Sequence, residues 1–184
     1  MEKNRLEAFS DGVLAIIITI VVLTFTTPQG DQWSDLAKMM PMISAYFLSF
    51  LFVAIYWVNH HIMLKDVSRI NVKVLWANNA LLFVMSFIPF CTGWVGRYPL
   101  SFVPLFCYFF DMFLASVAFH IMAMFISHEL GNSYHVDLRG ACSLIGYLAA
   151  ALLSYFVPVI SYLLSTAINI WWLFPQRTGR ILKL

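Results

Sequence analysis

The fold is decided near the start of the chain, where residues 5–23 read RLEAFSDGVLAIIITIVVL. From Phe9 onward this stretch is apolar over about the 20 residues that a helix needs to cross the hydrocarbon core of a membrane. It is longer than the core of a signal peptide and has no small-residue cleavage site. We therefore expect it to be retained as the first of several transmembrane helices.

The composition of the whole chain extends this pattern. Of its 184 residues, 61% are hydrophobic and only 11% are charged, whereas a soluble domain carries about 25% charged residues. These values exclude a soluble enzyme and a free nucleic-acid-binding protein. The net charge of +2 is too small to indicate a polyanionic partner. We therefore expect the protein to contact membrane lipids and to bind no nucleic acid.

Polar residues and prolines divide the apolar sequence into six predicted transmembrane helices, all within one domain of residues 1–184. Their predicted bounds are 6–27, 38–64, 74–95, 99–128, 139–156 and 158–175. The last boundary depends on Pro158 and Ser161, because residues 140–174 carry no charge and yet exceed the length of one crossing. The predicted class is an all-α membrane protein.

The basic residues predict its orientation. On the six-helix arrangement, nine of the 11 Lys and Arg residues fall on the side that carries both termini, and only Lys38 and Arg97 fall on the other. Short loops rich in Lys and Arg stay in the cytoplasm. Both termini of this multi-pass protein are therefore predicted to be cytoplasmic. The nine are Lys3, Arg5, Lys65, Arg69, Lys73, Arg139, Arg177, Arg180 and Lys183.

Ionisable side chains at membrane depth are costly and mark candidate functional positions. The alternating directions of helices one to three bring several polar residues to one layer near the cytoplasmic side. Such a set either clamps the three helices together or relays protons, and a clamp is the simpler interpretation because its donors and acceptors satisfy one another. Ser10 and Asp11 are also typical of a helix cap. The members of the layer are Arg5, Asp11, His60, His61, Trp76, Asn78 and Asn79.

Asp111 and His120 lie nine residues apart on the predicted fourth helix, about 13 Å along its axis and too far for a direct hydrogen bond. Hydrogen bonds to neighbouring helices are the simplest interpretation of each. The alternative function is a proton-coupled secondary transporter that uses both residues together with Asp11, His60 and His61. No enzymatic motif is present, and neither the histidine pair nor the three cysteines have the spacing of a metal site. We therefore expect no enzyme activity, no metal and no other cofactor.

The first helix carries a branched apolar stripe. Ile16, Ile20 and Leu23 follow the spacing of one helical face, with Thr19 beside them. A stripe of this kind usually contacts other helices or lipid. Around a symmetry axis, however, it would form hydrophobic constrictions, with hydroxyl oxygens from Thr19 facing a passing cation. The spacing permits a channel but does not prove one.

The motif Arg5-x-x-x-Phe9-Ser10-Asp11, placed at the start of the apolar first helix, resembles the signature of the transmembrane protein 175 family. These proteins are potassium-permeable channels of lysosomes and prokaryotes. The resemblance implies a prokaryotic member in the inner membrane, with six helices per subunit and four subunits in a homotetramer. It also implies a pore lined by helix one, without a carbonyl-lined selectivity filter, through which potassium flows passively.

The resemblance further implies roles for individual residues. Ile16 would form the narrow gate, Ile20 and Leu23 the hydrophobic layers outward of it, and Thr19 the selectivity layer. A structural network around the pore helix would join the residues of the motif to a histidine and a tryptophan from helices two and three. Whether the histidine is His60 or His61 stays open at this point. The candidates for the network are Arg5, Phe9, Ser10, Asp11, His60, His61, Trp76, Asn78 and Asn79.

Overall fold

The computed structural model describes residues 2–67 and 70–174. This part of the chain contains eight α-helices and no β-strand, which confirms the predicted all-α class. The predictions for Arg69, Arg177, Arg180, Lys183 and the last residue of helix 158–175 fall outside the described residues. The helices are α1 (Lys3–Leu23), α2 (Trp33–Ala37), α3 (Met40–Leu64), α4 (Val72–Met85), α5 (Ile88–Arg97), α6 (Phe102–Glu129), α7 (Leu138–Leu153) and α8 (Pro158–Leu173).

Four helical stretches of the described chain are long and apolar enough to cross a membrane. They are α1, α3, the α4–α5 pair taken together over Val72–Arg97, and α6. The two remaining apolar helices, α7 and α8, have 16 residues each. At 1.5 Å per residue each measures about 24 Å, less than the hydrocarbon core of about 30 Å.

The sequence predicts a single helix over 74–95, but the structure has two helices there. These are α4 and α5, with Ser86 and Phe87 between them. Pro89 lies in the first turn of α5, and a proline has no N–H for an intrahelical hydrogen bond, while its ring clashes with the carbonyl four residues earlier. That carbonyl belongs to Met85, the last residue of α4, so the helix ends where the proline requires it to end.

The short helix α2 was not predicted. Gln32 and Asp35 cap its start reciprocally, each side chain bonding the backbone of the other residue. Lys38 binds the same carboxylate at 2.8 Å. Local polar contacts therefore form this helix in the segment between α1 and α3.

The core of the bundle surrounds α6, which packs mainly against α4 and α7 and also against α5. Large side chains fill it, among them Phe52, Tyr108, Phe109 and Tyr147, all fully buried. Helix α1 lies at the edge of this core and contacts α3, α4 and α5. Its opposite side is left without a neighbour within the described chain.

Candidate functional site

Helix α1 has two distinct faces. One is buried against the bundle at positions three or four residues apart, namely Leu6, Ser10, Leu14, Ile17 and Val21. The other carries Thr19, which is exposed, and three large apolar side chains, Ile16, Ile20 and Leu23, which are 57%, 42% and 80% exposed. Positions three, four and seven apart share one side of a helix. The predicted stripe is therefore a continuous exposed face.

Polar contacts from α3 and α4 hold the first half of α1. The indole Nε1 of Trp57 donates to Asp11 Oδ1 at 2.8 Å. The Ser10 hydroxyl lies 3.2 Å from Asn78 Oδ1 and 2.9 Å from the carbonyl of Leu6. His60 Nε2 lies 2.7 Å from the same Asn78 oxygen. We call Ser10, Asp11, Trp57, His60 and Asn78 the anchor.

The anchor has a buried part and an exposed part. Ser10, His60 and Asn78 are buried, whereas Asp11 is exposed and Trp57 is 46% exposed. In the tautomer with hydrogen on Nε2, His60 donates to Asn78. No hydrogen bond joins the buried part to the Asp11–Trp57 pair within residues 2–67 and 70–174. This arrangement suits a clamp that fixes the position of α1 better than a continuous path for protons.

The structure distinguishes between the two candidate histidines. His60 is 3% exposed and belongs to the anchor, whereas the side chain of His61 is exposed. Asn79, also predicted for the network, is half-buried and makes no side-chain hydrogen bond in the described chain. Arg5 and Phe9 are exposed, and the Arg5 guanidinium makes no hydrogen bond in the described chain.

Trp57 was not predicted as a site residue from the sequence, whereas Trp76 was. Trp76 is 68% exposed and does not bond Asp11. It lies two residues before Asn78, and such residues point to different sides of a helix. Trp57 lies three residues before His60, so the two share a face. The spacing of three residues from His60 could therefore have identified Trp57 as a site residue from the sequence.

The other ionisable candidates lie away from the anchor. Asp111 is buried on α6 close to Cys91 and Tyr108, and its Oδ2 has no hydrogen-bond partner among the described residues. His120 lies further along α6, against Gly140 of α7. No described hydrogen bond links either residue to the anchor. Within the same residues, no group of three or more His, Cys, Asp or Glu side chains is arranged to hold a metal ion.

The region that holds the anchor is also the region that matches a known family. The family model described as "Endosomal/lysosomal potassium channel TMEM175" matches residues 5–89. A protein of Chryseobacterium sp. (strain P1-3) that is named a potassium channel is 37% identical over 183 residues, which cover 96% of this chain and 95% of the relative. The chain belongs to the TMEM175 family. The resemblance inferred from the motif at Arg5–Asp11 is thereby confirmed.

Two further matches extend the comparison. A potassium channel of Chamaesiphon minutus is 37% identical over 53% of this chain and 51% of the relative. The crystal structure of a lysosomal potassium-selective channel TMEM175 homolog from Chamaesiphon minutus superposes with a TM-score of 0.81 at 28% identity, covering 93% of this chain and 96% of that chain. The TMEM175 fold therefore extends over nearly the whole chain.

Proposed function

We propose that this protein is a potassium-selective or potassium-preferring channel of a prokaryotic inner membrane, in which potassium flows passively down its gradient. The names of its TMEM175 relatives and the match to a channel structure support potassium as the permeant ion. The observation that carries the proposal is the exposed stripe Ile16–Thr19–Ile20–Leu23 on α1. No cofactor is needed for such a flux.

A homotetramer with α1 at its axis would account for this stripe. A single chain leaves Ile16, Ile20 and Leu23 exposed, whereas four copies around an axis would turn them toward one another. Stacked rings of branched apolar side chains gate a pore by excluding water. In this arrangement Ile16 forms the gate, and Ile20 and Leu23 form the layers outward of it.

Thr19 is the proposed selectivity layer. Its hydroxyl lies 3.1 Å from the carbonyl of Ala15 and 3.0 Å from that of Ile16, both on its own helix. Because those carbonyls take up the hydroxyl hydrogen, the oxygen keeps lone pairs for another partner. Four such oxygens in a ring would partly replace the hydration shell of a potassium ion without any carbonyl-lined filter.

The membrane arrangement completes the proposal. We place both termini in the cytoplasm and count six crossings, with α7 and α8 as the fifth and sixth. Their 16 residues are short for a bilayer, and a short span is accommodated by local thinning of the membrane. The anchor then lies at the cytoplasmic end of the pore helix, where it sets the direction of the stripe.

Flux from liposomes tests the function. Purified protein reconstituted with potassium inside should release it down the gradient without valinomycin, while protein-free liposomes from the same preparation should not. Particles imaged in the same lipid should show fourfold symmetry with α1 at the axis. A flux that follows an imposed proton gradient instead would favour the transporter, and a monomeric particle would rule out this pore.

A further inference from the structure

An open cleft lies between α5 and the end of α1. Its volume is about 390 Å³, within the range of sites that hold small molecules. The two helices approach each other closely here, since a Cβ at Gly93 would lie 3.3 Å from the Cβ of Thr24. The residues that line the cleft are Thr24, Pro89, Phe90, Gly93, Trp94, Arg97 and Tyr98.

Arg97 gives the cleft a positive charge. Among the described residues that line it, only Arg97 is charged, and its exposed guanidinium makes no ion pair or hydrogen bond within residues 2–67 and 70–174. A guanidinium binds the oxygens of a phosphate through its planar set of donors. Arg97 is also the last residue of α5, and the carbonyl end of a helix repels anions. An anion in this cleft must therefore be held by the side chain.

The lining changes from polar to apolar along α5. At the Arg97 end, the indole N–H of Trp94 and the hydroxyl of Tyr98 have no hydrogen-bond partner in the described chain. Seven residues before Arg97, and about 10 Å along the helix axis, the exposed ring of Phe90 packs against Trp94 with the centroids 5.6 Å apart. One end of the cleft thus suits a charged polar group, and the other suits a hydrocarbon chain.

This order of groups matches the expected depth in the membrane. The α4–α5 pair is long and apolar enough to cross a membrane, and that stretch ends at Arg97. Tryptophan and tyrosine are enriched at the level of lipid headgroups, so Trp94 and Tyr98 place the Arg97 end there and Phe90 in the hydrocarbon. A soluble anion would make no use of the apolar part, and an uncharged lipid would make no use of Arg97.

We propose that this cleft binds one anionic phospholipid per subunit, with its phosphate on Arg97 and one acyl chain along Phe90 toward Thr24. Trp94 and Tyr98 donate to the phosphate or ester oxygens. Headgroups without an amine, such as that of phosphatidylglycerol, are preferred, because no acidic residue among the described lining residues can pair with an amine. The site goes beyond the proposed channel function and does not depend on it.

Native mass spectrometry of the detergent-purified protein tests the site. Phosphatidylglycerol should bind at about fivefold lower concentration than phosphatidylcholine with the same chains, as expected for one arginine beside an anionic headgroup. The first lipid bound to each subunit should show this preference. Equal binding of the two lipids, or no bound lipid, overturns the proposal. So does displacement of the lipid by inorganic phosphate, which would indicate an anion site without an acyl chain.

One pair of variants tests the headgroup. Arg97→Gln should abolish the preference for phosphatidylglycerol. Lys38→Gln removes the same charge from the other basic residue predicted for this side of the membrane, and it should keep the preference. Lys38 bonds Asp35 and does not line the cleft. Equal losses in the two variants, or no loss in Arg97→Gln, would exclude Arg97 as the headgroup ligand.

A second pair tests the acyl chain. Phe90→Ala should weaken the binding of both lipids several-fold, because apolar contact is lost whatever the headgroup. Phe87→Ala truncates another exposed phenylalanine, three residues earlier and outside the cleft, and should have little effect. If the two variants bind lipid alike, the chain does not lie along Phe90.

Photo-crosslinking locates the lipid in the wild-type protein, so the test stays decisive if a variant fails to assemble. Phosphatidylglycerol with a diazirine midway along one chain should label Phe90 or Thr24 ahead of Leu163, an exposed apolar residue of α8. Equal labelling of all three contradicts a site. Absence of label from the cleft, as when a neighbouring subunit covers it, does the same. A protein that conducts no potassium would refute the proposed function and leave these binding results unchanged.

Discussion

Trp57 of α3 and Asp11 of α1 are joined by a hydrogen bond of 2.8 Å from indole nitrogen to carboxylate oxygen. Ser10, the residue before Asp11, faces Asn78 of α4 instead. Consecutive residues of an α-helix project about 100° apart. Two neighbouring residues of α1 are therefore held from two directions, which fixes the rotation of α1 about its axis and hence the direction of Ile16 and Thr19.

Loss of the indole N–H of Trp57 should weaken the attachment of α1 to α3. In Trp57→Phe the ring is kept but the N–H is removed, and a hydrogen bond to a charged group contributes about 1.5–3 kcal/mol when shielded from water. Because this pair is partly exposed, we expect a loss of about 1 kcal/mol in the free energy of unfolding. Trp76→Phe is the control, with no hydrogen bond to lose in the described chain. Equal losses in thermal unfolding would refute the role of Trp57.

The two adjacent histidines should respond differently to the same change. His60→Ala removes a buried donor and leaves the Asn78 oxygen with one partner fewer, at a cost of about 1–3 kcal/mol. His61→Ala changes an exposed side chain and should stay within about 0.5 kcal/mol of the wild type. Denaturation of the reconstituted protein measures both. A larger effect at His61 would show that the assignment is reversed.

Ile16 and Ile17 provide a matched pair, one on the exposed face of α1 and one on its buried face. Ile17 is 3% exposed, so Ile17→Ala should lower stability by about 2 kcal/mol, near the lower limit for isoleucine in a core. Ile16→Ala should have little effect on unfolding but should widen the proposed constriction and raise single-channel conductance. An unchanged conductance, with the tetramer intact, would remove Ile16 from the gate.

Thr19→Val tests the selectivity layer, because it keeps the shape of the side chain and removes the oxygen. The reversal potential between potassium and sodium solutions should move toward zero as the preference for potassium falls. Thr24→Val is the control, since the hydroxyl of Thr24 donates to Val21 at 2.7 Å and its Cβ packs toward Gly93. If both variants shift the potential equally, Thr19 has no special role.

Much of this structure was predictable from local pattern. The spacing of Ile16, Ile20 and Leu23 predicts one shared face, and the three do share the exposed face of α1. Length and apolar composition predict α3 and α6 closely, since a helix in hydrocarbon must satisfy all its own backbone groups. Pro89 is also a local signal for the division of α4 from α5, because a proline interrupts the hydrogen bonding of a helix.

The choice between His60 and His61 depended on tertiary packing. Both stand near the end of α3, an almost uniformly apolar helix, and an apolar side chain is equally suited to lipid and to the core. Hydrophobic periodicity therefore contains little information about which side of α3 faces α4. The same ambiguity explains why Trp76 was chosen over Trp57.

Because α4 and α5 are separate helices, α1 packs against two helices on this side rather than against one. Asn78 of α4 holds the first half of α1, whereas Gly93 of α5 meets its last residues at Thr24. The break at Ser86–Phe87 lies between these two contacts, so the two ends of α1 pack against two different helices. In the proposed channel, a substitution at either contact should therefore act first on its own end of the pore helix.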